Sequence, residues 1–218
     1  MKIRKLFSGF LATIAMGLLG QPVFATENSS TPSRTLIIWF SQPEEMKPDA
    51  VDGFSGASVL QKNTPETGST QFVAQLIQKQ TDGDLFRIET VTPYPRQHDA
   101  LLRVAEKEQQ TNARPSLKTP IPDLSDYDTI YVGYPIWWYT MPMVIYSLFE
   151  QNDFAGKTVI PFTTHGGSRL ADSLRQIARI QPQARLVTRA LSISRNDVSG
   201  PDVPAQVEQW VKQVQPQR

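Results

Sequence analysis

Cysteine is absent from the 218-residue chain, and histidine occurs only as His98 and His165. The first absence excludes disulfide scaffolds, thiol catalysis, iron–sulfur clusters and zinc fingers. The second makes a multi-histidine metal centre within one chain improbable, so no metal site is expected. Charge of one sign is lacking too, with 22 Lys and Arg against 21 Asp and Glu. A nucleic-acid binder should carry clustered basic residues, and none is expected as a partner. Carboxylate, hydroxyl, aromatic or cofactor chemistry remains.

The one markedly apolar segment stands at the start. Lys2, Arg4 and Lys5 precede an apolar stretch from Leu6 to Leu19, Gly20-Gln21-Pro22 breaks it, and Ala25 offers a small residue for cleavage. That run is shorter than the 18 or so residues of a membrane span. Residues 1–25 therefore read as a secretory signal peptide, with an uncleaved anchor as the alternative. Losing three positive charges and no acids would take the formal charge from +1 to −2. An exported domain is expected, periplasmic or extracellular, with no membrane span after processing. Residues 26–33, rich in Ser and Thr, read as a disordered lead.

Beyond that lead, apolar runs alternate with helical periodicity. Strands are expected at Thr35 to Phe40, Leu85 to Ile88, Asp128 to Tyr134, Lys157 to Phe162 and Arg185 to Ala190. Helices are expected from Ser69 (Phe72, Val73, Leu76, Ile77), over 97–112 with Leu101, Leu102, Val104 and Ala105 inward, and after residue 142. A fourth is marked by Leu170, Leu174 and Ile177, and a fifth by Val207, Trp210, Val211 and Val214. Five strands alternating with five helices make an α/β fold, a doubly wound parallel sheet covered on both faces. Residues 34–218 form this domain, with a polar loop insertion at about 43–66.

Ligands of such sheets bind beyond the carboxyl ends of the strands. Ser41 ends the first strand, and Thr67-Gly68-Ser69-Thr70 opens the first helix, where N–H groups and the helix dipole attract a phosphate. The plainer reading is a helix N-cap supplied by Thr67 or Ser69. After the third strand, Pro135-Ile136-Trp137-Trp138-Tyr139-Thr140 puts three consecutive rings where a loop should be polar. Neighbouring side chains diverge, so at least one ring should face the cleft, although ordinary core packing competes. After the fourth strand, Thr164-His165-Gly166-Gly167-Ser168 lets the backbone approach a ligand closely. His165 reads as a hydrogen-bonding spacer, and no catalytic side chain is assigned.

At these residues the chain resembles the flavodoxin family. The likeness rests on Tyr127-Asp128-Thr129-Ile130, Gly133 through Trp138, Met141-Pro142, Asp153 through Lys157 and Thr164 through Ser168, and spans about residues 34–214. It implies the strand order 2-1-3-4-5 and FMN as cofactor. It also implies phosphate contacts at Ser41, Thr67, Gly68, Ser69, Thr70 and Gln71, and ring contacts at Pro135 through Thr140 and Thr164 through Ser168. The family's usual Ser-x-Thr-Gly-Asn-Thr loop is interrupted here, and Ser69 replaces its Asn. Within the insertion, Asp52-Gly53-Phe54-Ser55-Gly56-Ala57-Ser58 resembles a signature for covalent FMN attachment, with Ser58 the candidate acceptor. A small-residue loop packed beside the flavin is the alternative.

The function expected is an FMN-dependent oxidoreductase taking electrons from a reduced donor to a quinone or other small acceptor. A one-electron carrier protein and a non-catalytic flavin-binding module are the alternatives. A homodimer is left open.

Overall fold

The computed structural model describes residues 34–44 and 67–215. The expected signal peptide, the lead at 26–33, most of the insertion and the Asp52–Ser58 motif lie outside the described residues.

Three strands stand within a residue of their expected bounds: β1 (Thr35–Trp39), β2 (Asp84–Arg87) and β3 (Thr129–Pro135). β4 (Thr158–His165) runs past the expected Phe162, so Thr163, Thr164 and His165 are strand residues, not loop. Their backbone pairs with Tyr134 and Pro135 on one side and with Ser192, Ile193 and Ser194 on the other, which holds polar side chains in the sheet. Of the expected strand at Arg185 to Ala190 only β5 (Arg185–Leu186) forms, and a strand not expected from the sequence, β6 (Leu191–Ser194), follows it; both pair with β4. The chain leaves the ladder between them where the Trp210 indole donates to the Arg189 carbonyl at 2.8 Å. All ladders are parallel, and the order is β2-β1-β3-β4-β5, with β6 further along the β4 edge.

Among the described residues, five α-helices cover the sheet: α1 (Ser69–Thr81), α2 (His98–Gln110), α3 (Met143–Gln151), α4 (Ser173–Ile180) and α5 (Val203–Val214). Alternation along β1 sends Leu36, Ile38 and Phe40 to one core and Ile37 and Trp39 to the other. The first core takes Leu101 and Ala105 of α2, Val144 and Leu148 of α3, and Ile177 of α4. The second takes Val73 and Ile77 of α1 with Val207 and Val211 of α5. Contrary to expectation, Leu102 is exposed and Val104 only half-buried, because Leu101 and Ala105, four apart, define the inward stripe of α2.

Gly133 lies at the sheet's centre, registered between Trp39 and Phe162. A Cβ there would stand 2.0 Å from Phe162 Cζ, so the ring occupies the space a side chain would need. Among the described residues, no helix is long and apolar enough to cross a membrane.

Candidate functional site

Three chain segments meet at the carboxyl edge of the sheet. β1 exits through Ser41, whose side chain is buried and whose Oγ has no protein partner among the described residues. α1 begins beyond Gly68, an extended N-cap (φ −73°, ψ 154°) without a side-chain capping bond. The N-cap position thus falls on Gly68 and not, as the plainer reading expects, on Thr67 or Ser69, and no acidic residue stands in the first turn. Ser69 and Thr70 are fully buried, while Thr67 and Gln71 are half-buried. Thr164 joins this cluster from β4, with its Oγ1 3.2 Å from Ser69 Oγ and 2.8 Å from Thr70 Oγ1.

The loop after β3 is a two-residue turn. Trp137 and Thr140 exchange backbone bonds of 2.9 and 3.0 Å, and both central residues are left-handed, Trp138 at φ 45° and Tyr139 at φ 63°. Turns of this kind favour Asn and Gly, because a Cβ is strained at positive φ. Here the positions carry two aromatics, and the turn drives their rings outward: Trp138 is 40% exposed and Tyr139 73%. Trp137 is 9% exposed and packs edge-on against Phe40 and Tyr94 at centroid distances of 5.4 and 5.2 Å. Trp137 is the anchor. Trp138 is tied to α2 by its Nε1–H to the Leu102 carbonyl (3.2 Å) and by Gln109 Nε2 donating to its own carbonyl (3.2 Å).

Past β4, the Gly167 N–H donates to His165 Nδ1 at 2.9 Å. Burial, then the charge of Arg169, lowers the His165 pKa, with Asp197 opposing. A neutral ring accepting at Nδ1 is the spacer that the sequence suggested. Gly167 has φ 139° with open space around it, so conformation and not crowding demands glycine there.

The segments that follow β3 and β4 border a cleft of about 570 Å³, whereas Ser41 lines a separate space of about 180 Å³ and the expected phosphate contacts Thr67 through Gln71 line neither. Of the residues expected at the ring, Ile136, Trp137, Trp138, Tyr139, Gly166, Gly167 and Ser168 line the cleft. Pro135 and Thr140, buried at either side of the turn, and Thr164 and His165, buried on β4, do not. Sequence reasoning missed Glu44, His98, Leu102 and Arg195, which also line it. Arg195 follows β6 and lies against Gly166, where an added Cβ would meet its guanidinium carbon at 3.5 Å. Had the Leu191-Ser192-Ile193-Ser194 alternation been read as a strand, Arg195 would have fallen at the ligand-binding edge. Glu44 and His98 are 54 positions apart and carried no joint signal; in the fold, His98 Nδ1 is 2.5 Å from Glu44 Oε2. Burial raises the Glu44 pKa, against the pull of His98 and Arg195. Among the described residues there is no metal-ligating cluster of three or more side chains.

The flavodoxin family model matches residues 59–213. The chain belongs to the flavodoxin family. Among solved structures, this flavodoxin-family chain is similar to a protein described as a flavoprotein from Bacteroides uniformis, at 27% identity and TM-score 0.62, covering 83% of this chain and 98% of that one. A second, from Bacteroides eggerthii, aligns at 22% identity and TM-score 0.61, covering 85% and 99%. A flavoprotein from Lactobacillus acidophilus, solved in complex with FMN, shares the fold at 17% identity and TM-score 0.54, covering 82% and 98%. No match was found among the curated proteins.

Proposed function

We propose that this flavodoxin-family chain holds FMN along the carboxyl edge of its sheet and passes electrons from a reduced donor to a quinone or another small acceptor. The observation that carries the reading is the Ser41 hydroxyl, buried without a protein partner among the described residues where β1 leaves the carboxyl edge of the sheet. Leaving such a group unsatisfied costs about 1–3 kcal/mol, which a phosphate oxygen would remove. Thr67, Gly68, Ser69, Thr70 and Gln71 would hold the phosphate through N–H groups and hydroxyls, aided by the helix dipole. Trp138, Tyr139 and the Gly166–Ser168 turn would border the flavin ring and limit water at it. The Lactobacillus protein of the same fold was solved with FMN, which supports the same ligand here. FMN supplies one- and two-electron transfer when bound. The chain's residues bind it, orient it and shape the space beside it.

A small acceptor is favoured over a basic protein partner because a charge of −2 after processing gives little electrostatic steering. FMN titration, followed by visible flavin absorbance and tryptophan quenching, tests the binding. Bleaching by a reduced nicotinamide and recovery on adding a quinone test the turnover. A protein that takes up no FMN would refute the reading, and reduction only by a protein donor would favour the carrier. The basic start, short apolar run and Ala25 support export, and mass spectrometry of the native protein should find a chain beginning near Thr26. Retention of Lys2 would refute export.

A further inference from the structure

We infer that the space beside β2, rimmed by Arg87, Arg96 and Lys118, binds the phosphate group of a second ligand, a small phosphate ester other than FMN. The inference goes beyond the FMN reading and draws on none of the residues assigned there to the flavin ring.

The space of about 180 Å³ opens where β1 and β2 end. Phe40, Ile88, Thr90 and Tyr94 are buried and form its floor, while Arg87, Glu89, Arg96 and Lys118 are exposed and form its rim. Arg87 ends β2, with its guanidinium carbon 5.5 Å from the centre of the Trp39 ring. Arg96 stands in the segment that leads into α2. Lys118 arrives on a short antiparallel pairing: the Val91 N–H donates to the Ser116 carbonyl at 2.9 Å, and the Lys118 N–H to the Glu89 carbonyl at 2.8 Å. Backbone bonds therefore fix where Lys118 and Glu89 stand. Ser41 also lines the space, but its one hydroxyl hydrogen is assigned above to the FMN phosphate, so the cations hold the second anion.

Charge selects the ligand. Three cations face one carboxylate, that of Glu89, which lies 3.1 Å from Lys118 Nζ and 3.9 Å from an Arg87 nitrogen. The excess of two positive charges matches a phosphate monoester, which carries about −1.5 to −2 near neutrality. Arg87 makes no hydrogen bond to protein among the described residues, because 3.9 Å is beyond reach of one, so its planar fork is open to two oxygens of an anion. Stacking over Trp39 already restricts that fork, and less freedom is lost when it binds. Lys118 spends one of its three N–H donors on Glu89 and keeps the others for the ligand.

The floor suits a compact organic group on that phosphate. Phe40, Ile88 and Pro93 are apolar, and Tyr94 brings its ring, because its hydroxyl donates to Glu108 Oε2 at 2.7 Å. Gln42 ties this floor to the exit of β1 by donating to the Tyr94 and Pro95 carbonyls at 3.2 and 3.4 Å. At 180 Å³ the space is smaller than the about 300–1,000 Å³ of sites for drug-sized ligands, so it takes a phosphate with one ring or a short chain. Phe40 and Tyr94 pack edge-on against Trp137 at 5.4 and 5.2 Å, and Trp137 lines the larger cleft. A ligand in this space lies one layer of rings away from that cleft.

The test is calorimetric titration of the FMN-loaded full chain at low salt with phenyl phosphate, inorganic phosphate and benzyl alcohol, the last an uncharged body of similar size. Phenyl phosphate should bind, inorganic phosphate about tenfold more weakly for want of the ring, and benzyl alcohol not measurably. Arg87→Gln and Lys118→Gln should each weaken phenyl phosphate about threefold to tenfold, and less at high salt. Glu89→Gln removes the competing carboxylate and should tighten it, a gain that a merely structural Glu89 does not give. Ser41→Ala should lose FMN affinity and keep phenyl phosphate. Unchanged phenyl phosphate binding in Arg87→Gln and Lys118→Gln would overturn the inference, as would benzyl alcohol binding as tightly. Equal binding of the two phosphates would overturn the ester as the ligand class. FMN content is read on the same samples. Protein that holds FMN but no phenyl phosphate refutes this inference alone. Protein that holds no FMN, yet binds phenyl phosphate through Arg87, refutes the FMN reading alone.

Discussion

Replacing Tyr139 by glycine should make the protein more stable and a poorer flavin binder. Tyr139 sits at φ 63° in the turn after β3, with its ring 73% exposed, and its side chain makes no hydrogen bond to protein among the described residues. A left-handed residue with a Cβ carries about 1–2 kcal/mol of strain, which glycine relieves. Glycine's greater freedom in the unfolded chain takes back about 0.5–1 kcal/mol. The net gain is about 0.5–1 kcal/mol, because so exposed a ring contributes little packing. In a domain of this size that raises Tm by about 1–4 °C. The ring stands at the lip of the cleft, so flavin affinity should fall by about 1–3 kcal/mol, the range for an aromatic face stacked on a planar base. Thermal melts of the apoprotein and FMN titrations of wild type, Tyr139→Gly and Tyr139→Phe measure both quantities, with the Phe variant expected to match wild type. A lower Tm in Tyr139→Gly would refute the strain argument. A higher Tm with unchanged affinity would refute the ring's part in binding.

Trp137→Ala should show the opposite pattern, losing about 3–5 kcal/mol of stability as its buried contacts with Phe40 and Tyr94 go, a loss read from denaturant melts. A loss below 1 kcal/mol would show that Trp137 is not an anchor. Ser41→Ala removes a buried hydroxyl that has no partner among the described residues, so the apoprotein should melt no lower than wild type while FMN binds about tenfold more weakly; a destabilised apoprotein with full affinity would count against the phosphate site. Asp84 receives hydrogen bonds from the Tyr127 hydroxyl and from Arg34, both at 2.8 Å, and these hold its pKa below the usual 3.8. A depressed carboxylate stabilises the fold above its ordinary pKa and loses that contribution as pH falls through its folded value. Asp84→Asn should therefore melt below wild type near neutrality, with the gap closing in acid; a gap that persists in acid would refute the assignment.

Parallel strands buried on both faces can be read from continuous apolar runs, which is why β1 and β3 stand nearly where expected; β2, a largely exposed edge strand, is legible from the short Leu85-Phe86-Arg87-Ile88 run after the α1 stop. β4 was cut short because Thr163, Thr164 and His165 look like loop residues. Nothing local reveals that β6 pairs with them. β6 itself was missed for a different reason: Leu191-Ser192-Ile193-Ser194 buries one face only, so its signal is alternation rather than a run. The glycines and aromatics of the site stood out because their composition is odd for loops. Which ring faces the cleft depended on two backbone angles, and no residue type announces Trp or Tyr at positive φ. Glu44, His98 and Arg195 were illegible for want of proximity. Each is ordinary in its own segment and becomes part of a site only when β1, α2 and β6 converge.

Thr164 has a consequence for how the edge of this sheet opens. Its hydroxyl bonds Ser69 and Thr70 at the start of α1, and its carbonyl accepts the Ile136 N–H at 2.9 Å where the chain leaves β3. One residue thus stitches together two segments more than sixty positions apart in the chain. Fraying of either segment loosens the residue to which the other is bonded, so the Phe72 amide, which donates to the Gly68 carbonyl, and the Ile136 amide should share one opening free energy in native-state hydrogen exchange. The two halves of the edge form a single cooperative unit, and a ligand that protects one protects the other even where it makes no contact.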